Sequence, residues 1–423
     1  MSGIRLHLGH STQDNGPISV TPEALFGRHC AVVGSSGSGK SWSLARVIEE
    51  AARHKAKLLL FDASGEFESI TDNTFHIHLG SATREMPRSM QATIPYFELS
   101  ETDLIGIFEP ETSIQWMRLR SAMKTLKLLQ LSPGLSSSGV FIKTHKLKHD
   151  FEVELEAHQA RLERPDSVFN IHKLPQQLEC ECVEPSRSRT ESQYWGGTSL
   201  TDLNDVAPLI SRVEQILTEP ELRPIFSPPK APSAFEALEK FLTDTNVSVL
   251  RISLEFLPVL HKVREIVAQS LSRYMLSMAR SGLLRQQPLV IAIDEAHQVL
   301  KKNELSAAVG APHNVFDSIA KEGRKYGLTL CMATQRPADI PEGVLSQVGA
   351  FIVHRIIGQH DRQAVERAAG GISEEHYKAL ATLSPGEALL IGAGITEPQM
   401  VRMTAPAHAP HSHGPNYQSA WKR

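Results

Sequence analysis

Cysteine is scarce in this 423-residue chain: Cys30, Cys180, Cys182 and Cys331 are the four it has. Four scattered thiols make no disulfide framework, so a reducing compartment is expected. Long apolar runs are lacking too. The longest, such as Lys57–Phe61 and Leu289–Ile293, are strand-sized and fall far short of the roughly 20 residues that span a bilayer. The stretch from Met1 to Asn15 is polar and charged throughout, without the apolar core of a signal peptide. A cytoplasmic protein with no membrane association is expected. Neither sign of charge is in surplus. Forty-four Lys plus Arg against 47 Asp plus Glu give a net charge of −3, which argues against a wholly polybasic binder but leaves room for a local basic channel. No internal repeat is evident. With 41% hydrophobic and 22% charged residues the composition is that of a globular protein, long enough for two or three domains.

Short apolar runs ending in polar or glycine residues recur at Cys30–Gly34, Lys57–Asp62, Val247–Ile252, Leu289–Asp294, Leu328–Ala333, Ala350–Ile356 and Glu387–Ile391. They read as buried parallel strands. Between them lie helical patterns, such as Leu260, Val263, Ile266, Val267, Leu271, Tyr274 and Met275 on one face. The alternation predicts an α/β domain built on a doubly wound, mostly parallel sheet. It breaks after about Leu99 and resumes near Val247. The interval holds helical runs at Ser113–Leu131 and Leu203–Leu217, a charged run at Asp150–Arg164, and loops at Ser132–Gly139 and Glu184–Gly197. We divide the chain into a short N-terminal segment (1–25), an α/β core (26–99 and 240–403), a mostly helical insertion (100–239) and a flexible tail (404–423), the last free or ordered on a neighbouring subunit. The five prolines between Pro220 and Pro232 suggest a hinge back into the core.

Three motifs carry chemistry. After the strand ending Ala31-Val32-Val33 comes Gly34-Ser35-Ser36-Gly37-Ser38-Gly39-Lys40-Ser41, which fits G-x-x-x-x-G-K-[ST] at every fixed position and leads into a helix. Its glycines let backbone N–H groups surround phosphate, Lys40 reaches the β- and γ-phosphates, and Ser41 can ligate Mg²⁺. ATP and Mg²⁺ are therefore the expected cofactors. The apolar run Leu289–Ile293 delivers Asp294 and Glu295 at its C-terminal end. Asp294 is expected to orient Mg²⁺, and Glu295 to polarise the attacking water. The run Leu328–Ala333 ends in Thr334-Gln335-Arg336-Pro337, where Gln335 is placed to sense the γ-phosphate or hold the water.

Taken together, Lys40-Ser41 in GSSGSGKS, Asp62-Ala63-Ser64-Gly65-Glu66-Phe67, IDEAH, EGRKYG (322–327) and TQRP resemble the HerA branch of the HerA/FtsK ATPases. The resemblance covers Phe26–Leu99 and Val247–Met403. It implies a RecA-like P-loop fold and a hexameric ring that hydrolyses ATP between subunits and drives double-stranded DNA through its centre. A separate nuclease or effector subunit would serve DNA-end processing or defence against phage. It also implies Arg324 as the arginine given to the neighbour's γ-phosphate and Arg355 as a second arginine on the subunit's own nucleotide. The family's N-terminal β-barrel of about a hundred residues is expected to be absent here or reduced to a strand or two, since 33 residues precede Gly34.

Lys301, Lys302 and Lys321 are candidates for phosphate contacts in a pore, against the plainer reading of solvated lysines. Cys180 and Cys182, with His172 nearby, lack the two-residue gap of common zinc sites, and the two cysteines are read as free thiols in a loop. His408, His411 and His413 are likewise not read as a metal site, and Trp195 is read as a packed anchor. The competing function is an ATP-binding ring that scaffolds and switches an effector enzyme without being an autonomous motor. A relative that moves proteins at a membrane, as secretion ATPases do, ranks last.

Overall fold

The computed structural model describes residues 3–163, 168–300, 314–412, 417 and 421. Among these, twelve strands form one sheet: β1 (Leu6–Ser11), β2 (Pro17–Val20), β3 (His29–Val33), β4 (Lys57–Asp62), β5 (Thr74–Gly80), β6 (Ser89–Ala92), β7 (Val249–Phe256), β8 (Leu289–Ile293), β9 (Leu328–Thr334), β10 (Val348–Val353), β11 (Glu387–Gly392) and β12 (Gln399–Met403). Their order is β2-β1-β12-β11-β10-β3-β9-β8-β4-β7-β5-β6. From β10 to β6 every pairing is parallel. From β10 outward, β11, β12, β1 and β2 pair antiparallel. The sheet is thus α/β and mostly parallel, with the chain doubling back across β3.

Every residue of β3, β4 and β8 is buried, because both faces of the sheet are covered. Alternate side chains go to opposite layers. Cys30, Val32, Leu58 and Leu60 meet Leu44, Val47, Ile48 and Ala51 of α1 (Lys40–Ala52), which fall three and four residues apart. Ala31, Val33, Leu59 and Phe61 join the other layer. That layer receives α2 (Glu101–Phe108), α3 (Ser113–Leu131), α4 (Leu174–Glu181), α5 (Leu200–Thr218), α6 (Val263–Arg280) and α7 (Val315–Glu322).

The insertion is mostly helical, and its apolar residues run without a break into those under the sheet. In its outer part Phe141, Phe151 and Trp195 pack ring to ring, with centroids 4.9 to 5.9 Å apart. The Lys143 ammonium stands 4.9 Å over Phe151 and 5.5 Å over Trp195. It pairs with Glu181, whose carboxylate also accepts from Thr125 (2.7 Å) and Gln177 (2.9 Å). Cys182 follows Glu181 at the end of α4, and its buried thiol donates to the Leu178 carbonyl.

Three stretches differ from expectation. Pro220–Pro232 is no open hinge: Leu222, Ile225 and Phe226 are buried, Phe226 stacks on Phe108, and Thr93 and Ile94 bond its carbonyls. The prolines punctuate short helical turns instead of loosening the chain. Residues 404–412 are not a flexible tail, because the buried Glu49 carboxylate of α1 accepts the Ala407 and His408 N–H groups. The strap continues to Ser69 and to the Glu66 carbonyl. The N-terminal segment supplies β1 and β2, which extend the sheet beyond β12.

Lys143→Met leaves Glu181, 1% exposed, without its countercharge while two hydrogen bonds remain. A loss of about 2–3 kcal/mol in unfolding free energy is expected, read from the urea midpoint.

Candidate active site

The parallel strands put their C-terminal ends on one edge, and the motifs meet there. The loop 34–39 leaves β3 and hands over to α1 through Gly39, whose φ of +107° suits glycine. Gly34 is required for another reason. A Cβ there would lie 2.6 Å from both His354 Cβ and Ser38 Oγ. His354, fully buried after β10, donates from Nδ1 to the Glu387 carbonyl and accepts from Ser43 at Nε2, 2.9 and 2.8 Å away. Burial, helped by the Lys40 charge, pushes its pKa down to about 4. A neutral imidazole thus wedges the loop against β10 and α1.

Lys40 and Glu295 meet with Nζ 3.1 Å from Oε1. Glu295 sits one residue beyond Asp294 in the left-handed region, φ +47°, which turns its side chain out of the strand's alternation. Burial would raise its pKa, but His297 and Lys40 outweigh that and hold it below the ordinary carboxylate range. Asp294 is 1% exposed. Its Oδ2 accepts from Ser64 at 3.0 Å, and its Oδ1 is buried without a hydrogen-bond partner among the described residues. Burial pushes its pKa up to about 8; Lys40 opposes this, while Asp62, Glu295 and Glu66 add to it. A buried carboxylate with a spare oxygen and other carboxylates for neighbours is a place where a cation is favoured. Asp294 and the half-buried Ser41 at the first turn of α1 therefore fit Mg²⁺.

Gln335 reaches the loop directly, its Oε1 accepting from Ser36 Oγ at 2.6 Å. Thr334 accepts the Gly34 N–H at its carbonyl. The Arg355 carbonyl accepts from Ser35 N–H at 2.8 Å, and its Nε is buried without a partner among the described residues. Arg355 is thus beside the subunit's own phosphate loop. Arg324 is elsewhere. It is exposed in the turn Gly323–Tyr326, which precedes β9. The seven residues of β9 at about 3.3 Å each place it roughly 20 Å from the edge that carries Lys40.

Asp62, at the end of β4, accepts the N–H groups of Gly65, Glu66 and Phe67 and pairs with Arg251 at 2.6 Å. This fixes the turn that presents Ser64 to Asp294. The sequence motif Asp62–Phe67 was visible without a role for each residue, and His297 and His354 lay unassigned in IDEAH and the run after β10. Lys301, Lys302 and His413 lie outside the described residues. Lys321 is exposed on α7. Cys182 has its thiol pushed up to about 11 by burial, the opposite of a metal-ligating thiolate. Among the described residues no group of three or more His, Cys, Asp or Glu is arranged to hold a metal ion, and no helix is long and apolar enough to cross a membrane.

Residues 6–194 match the family described as the central domain of helicase HerA, and residues 271–415 the helicase HerA-like C-terminal family. The probable DNA double-strand break repair helicase HerA of Methanocaldococcus jannaschii is 22% identical over 94% of this chain and 76% of its own. For HerA of Pyrococcus furiosus the identity is 23%, over 92% and 67%. The chain spans about two thirds to three quarters of the length of these relatives. Among solved structures, VirB4 of Thermoanaerobacter pseudethanolicus superposes with a TM-score of 0.57 at 13% identity, covering 96% of each chain. The plasmid coupling protein TrwB in complex with ADP and Mg²⁺ gives 0.51 at 15%, covering 95% of this chain and 90% of its own. These two share the fold.

Asp294 gives a pH signature. Its folded pKa, about 8, lies above the unfolded value near 3.8, so its contribution is full below pH 4 and is lost as pH rises toward 8. In chelator, Asp294→Asn should be more stable than wild type at pH 8, and the gap should close by pH 4, measured by denaturant titration at each pH.

Proposed function

Because the chain belongs to the HerA-like branch of the HerA/FtsK P-loop ATPases, we propose that it is an ATP-hydrolysing motor that acts on double-stranded DNA as a homo-oligomeric ring, a hexamer, with a separate nuclease or effector subunit. The observation that carries this reading is the split of the machinery between two edges of the sheet. Lys40, Asp294, Glu295 and Gln335 converge at the C-terminal edge, while Arg324 is exposed at the other end of β9. An arginine so placed serves a nucleotide held by another copy, and head-to-tail contacts of that kind close into rings.

The loop amides, Lys40 and Ser36 bind and orient the triphosphate. Ser41 and Asp294 would hold Mg²⁺, which supplies positive charge to the β- and γ-phosphate oxygens. Glu295 accepts a proton from the attacking water as its oxygen bonds to the γ-phosphorus; the bond to the β–γ bridging oxygen breaks and its electron pair leaves with ADP. Gln335, tied to Ser36, marks where that water and the γ-phosphate meet. Arg355 adds charge from the same subunit, and Arg324 from the neighbour. The DNA-contacting lysines, the effector and the cytoplasmic location belong to this proposal on the strength of the family likeness.

Steady-state ATPase activity with and without linear double-stranded DNA, with mass measured in the same buffer, tests it. A DNA-stimulated hexamer silenced by Lys40→Ala is expected. Slow, DNA-indifferent hydrolysis by a ring would favour the effector-organising scaffold instead. Arg324→Ala and Glu295→Gln should each be inactive alone, yet an equal mixture should recover about a quarter of wild-type activity, since one interface in four joins an intact base to an intact arginine.

A further inference from the structure

The hydrogen-bonded ladder between β8 and β9 has Ile293 opposite Met332 as its last pair. Past that point the two strand ends carry the base and the γ-phosphate sensor, and something must fix one against the other. Glu295 is followed at once by the turn Ala296–Gln298. That turn brings the His297 ring back over the site, 11% exposed, with Nδ1 3.2 Å from Glu295 Oε2, a buried oxygen that has no hydrogen-bond partner of its own among the described residues. The same nitrogen is 3.2 Å from Thr334 Oγ1, at the end of β9. Thr334 is itself well anchored. Its Oγ1 accepts the Arg336 N–H at 3.0 Å, its carbonyl accepts the Gly34 N–H at 3.2 Å, and its neighbour Gln335 bonds Ser36.

We propose that His297 is a positioning residue for hydrolysis, its Nδ1–H shared between Glu295 Oε2 and Thr334 Oγ1 so that the carboxylate is held against the tip of β9. This rests on Glu295 being the base of an ATPase. Lys40 faces Oε1, the other carboxylate oxygen, and is the group that serves the phosphates. When Lys40 turns to a phosphate, His297 keeps Glu295 aimed through Oε2, and Oε1 is left to accept the water's proton. The other histidine near the loop does not share this task, because His354 is engaged with Ser43 and the Glu387 carbonyl. A backbone in the left-handed region at Glu295 is strained, and strain of this kind persists where neighbouring contacts hold it.

The test distinguishes the two ring nitrogens. Asn at position 297 places an N–H near the Nδ1 position, Gln places one near Nε2, and Ala supplies neither. kcat and KM for ATP are measured on the full chain for His297→Asn, His297→Gln and His297→Ala, with Lys40→Ala as the inactive control. Ala and Gln should lower kcat about 10- to 100-fold with KM changed less than about twofold, and Asn should recover to within about fivefold of wild type. Thr334→Val, which keeps the shape but removes the hydroxyl, should lower kcat about threefold at unchanged KM. Unchanged kcat in Ala, or Asn no better than Gln, overturns the assignment. A wild-type chain no more active than Lys40→Ala is a different result: it overturns the ATPase reading and takes the role of His297 with it.

Discussion

The ion pair between Lys40 and Glu295 joins the end of β8 to the start of α1, and the rest of the site is organised around the charge it balances. Four carboxylates crowd this edge: Asp62, Glu66, Asp294 and Glu295. Three of them are stabilised in different ways. Asp62 has three backbone N–H donors and a buried arginine. Asp294 has its pKa pushed up to about 8 by burial, which favours the neutral form while no cation is bound. Glu295 stays ionised because Lys40 and His297 face its two oxygens. Unpaired buried charge is costly, so these solutions are needed for the edge to fold at all. On the proposed function they also ready it for substrate, since a phosphate would compete with Glu295 for Lys40 and a cation would satisfy the Asp294 oxygen that has no partner among the described residues.

On the proposed function, β9 is what ties this chemistry to an assembly. At one end it carries Thr334 and Gln335, in contact with the phosphate loop and with His297. At the other end the turn holding Arg324 is exposed. The strand is buried along its whole length between β3 and β8, and a close-packed element of that kind transmits a shift at one end to the other. In the proposed ring, hydrolysis in one subunit and the arginine given to the next are linked through this one strand. The strap of residues 404–412 touches the same system from behind, bonding the loop that presents Ser64 to Asp294.

The central strands were legible in the sequence because strands covered on both faces need unbroken apolar runs, and β3, β4, β8 and β9 have them. The edges were not. β5 reads Thr-Phe-His-Ile-His-Leu-Gly, with His76 and His78 buried, and β1, β2, β6 and β12 mix glycine, serine, glutamine and arginine among apolar residues. Such strands are specified by their neighbours more than by their own composition. Within the site, Lys40, Asp294 and Glu295 stood out because their chemistry demands fixed spacing. Gln335 was readable from its place at a strand tip. His297 and His354 were not, because a histidine's role depends on which groups the fold brings to its two nitrogens. The separation of Arg324 from its own phosphate loop follows only from knowing that β9 runs parallel to β3.

The most direct measurement is a high-resolution structure of the full chain with Mg²⁺ and a non-hydrolysable ATP analogue. The expected result has Lys40 Nζ within hydrogen-bonding distance of the β- and γ-phosphates and withdrawn from Glu295, with Glu295 still held by His297 and an arginine 324 from a second copy at the γ-phosphate. A Lys40–Glu295 pair left intact beside bound nucleotide, or an Arg324 that remains in solvent in the assembled ring, would contradict the account.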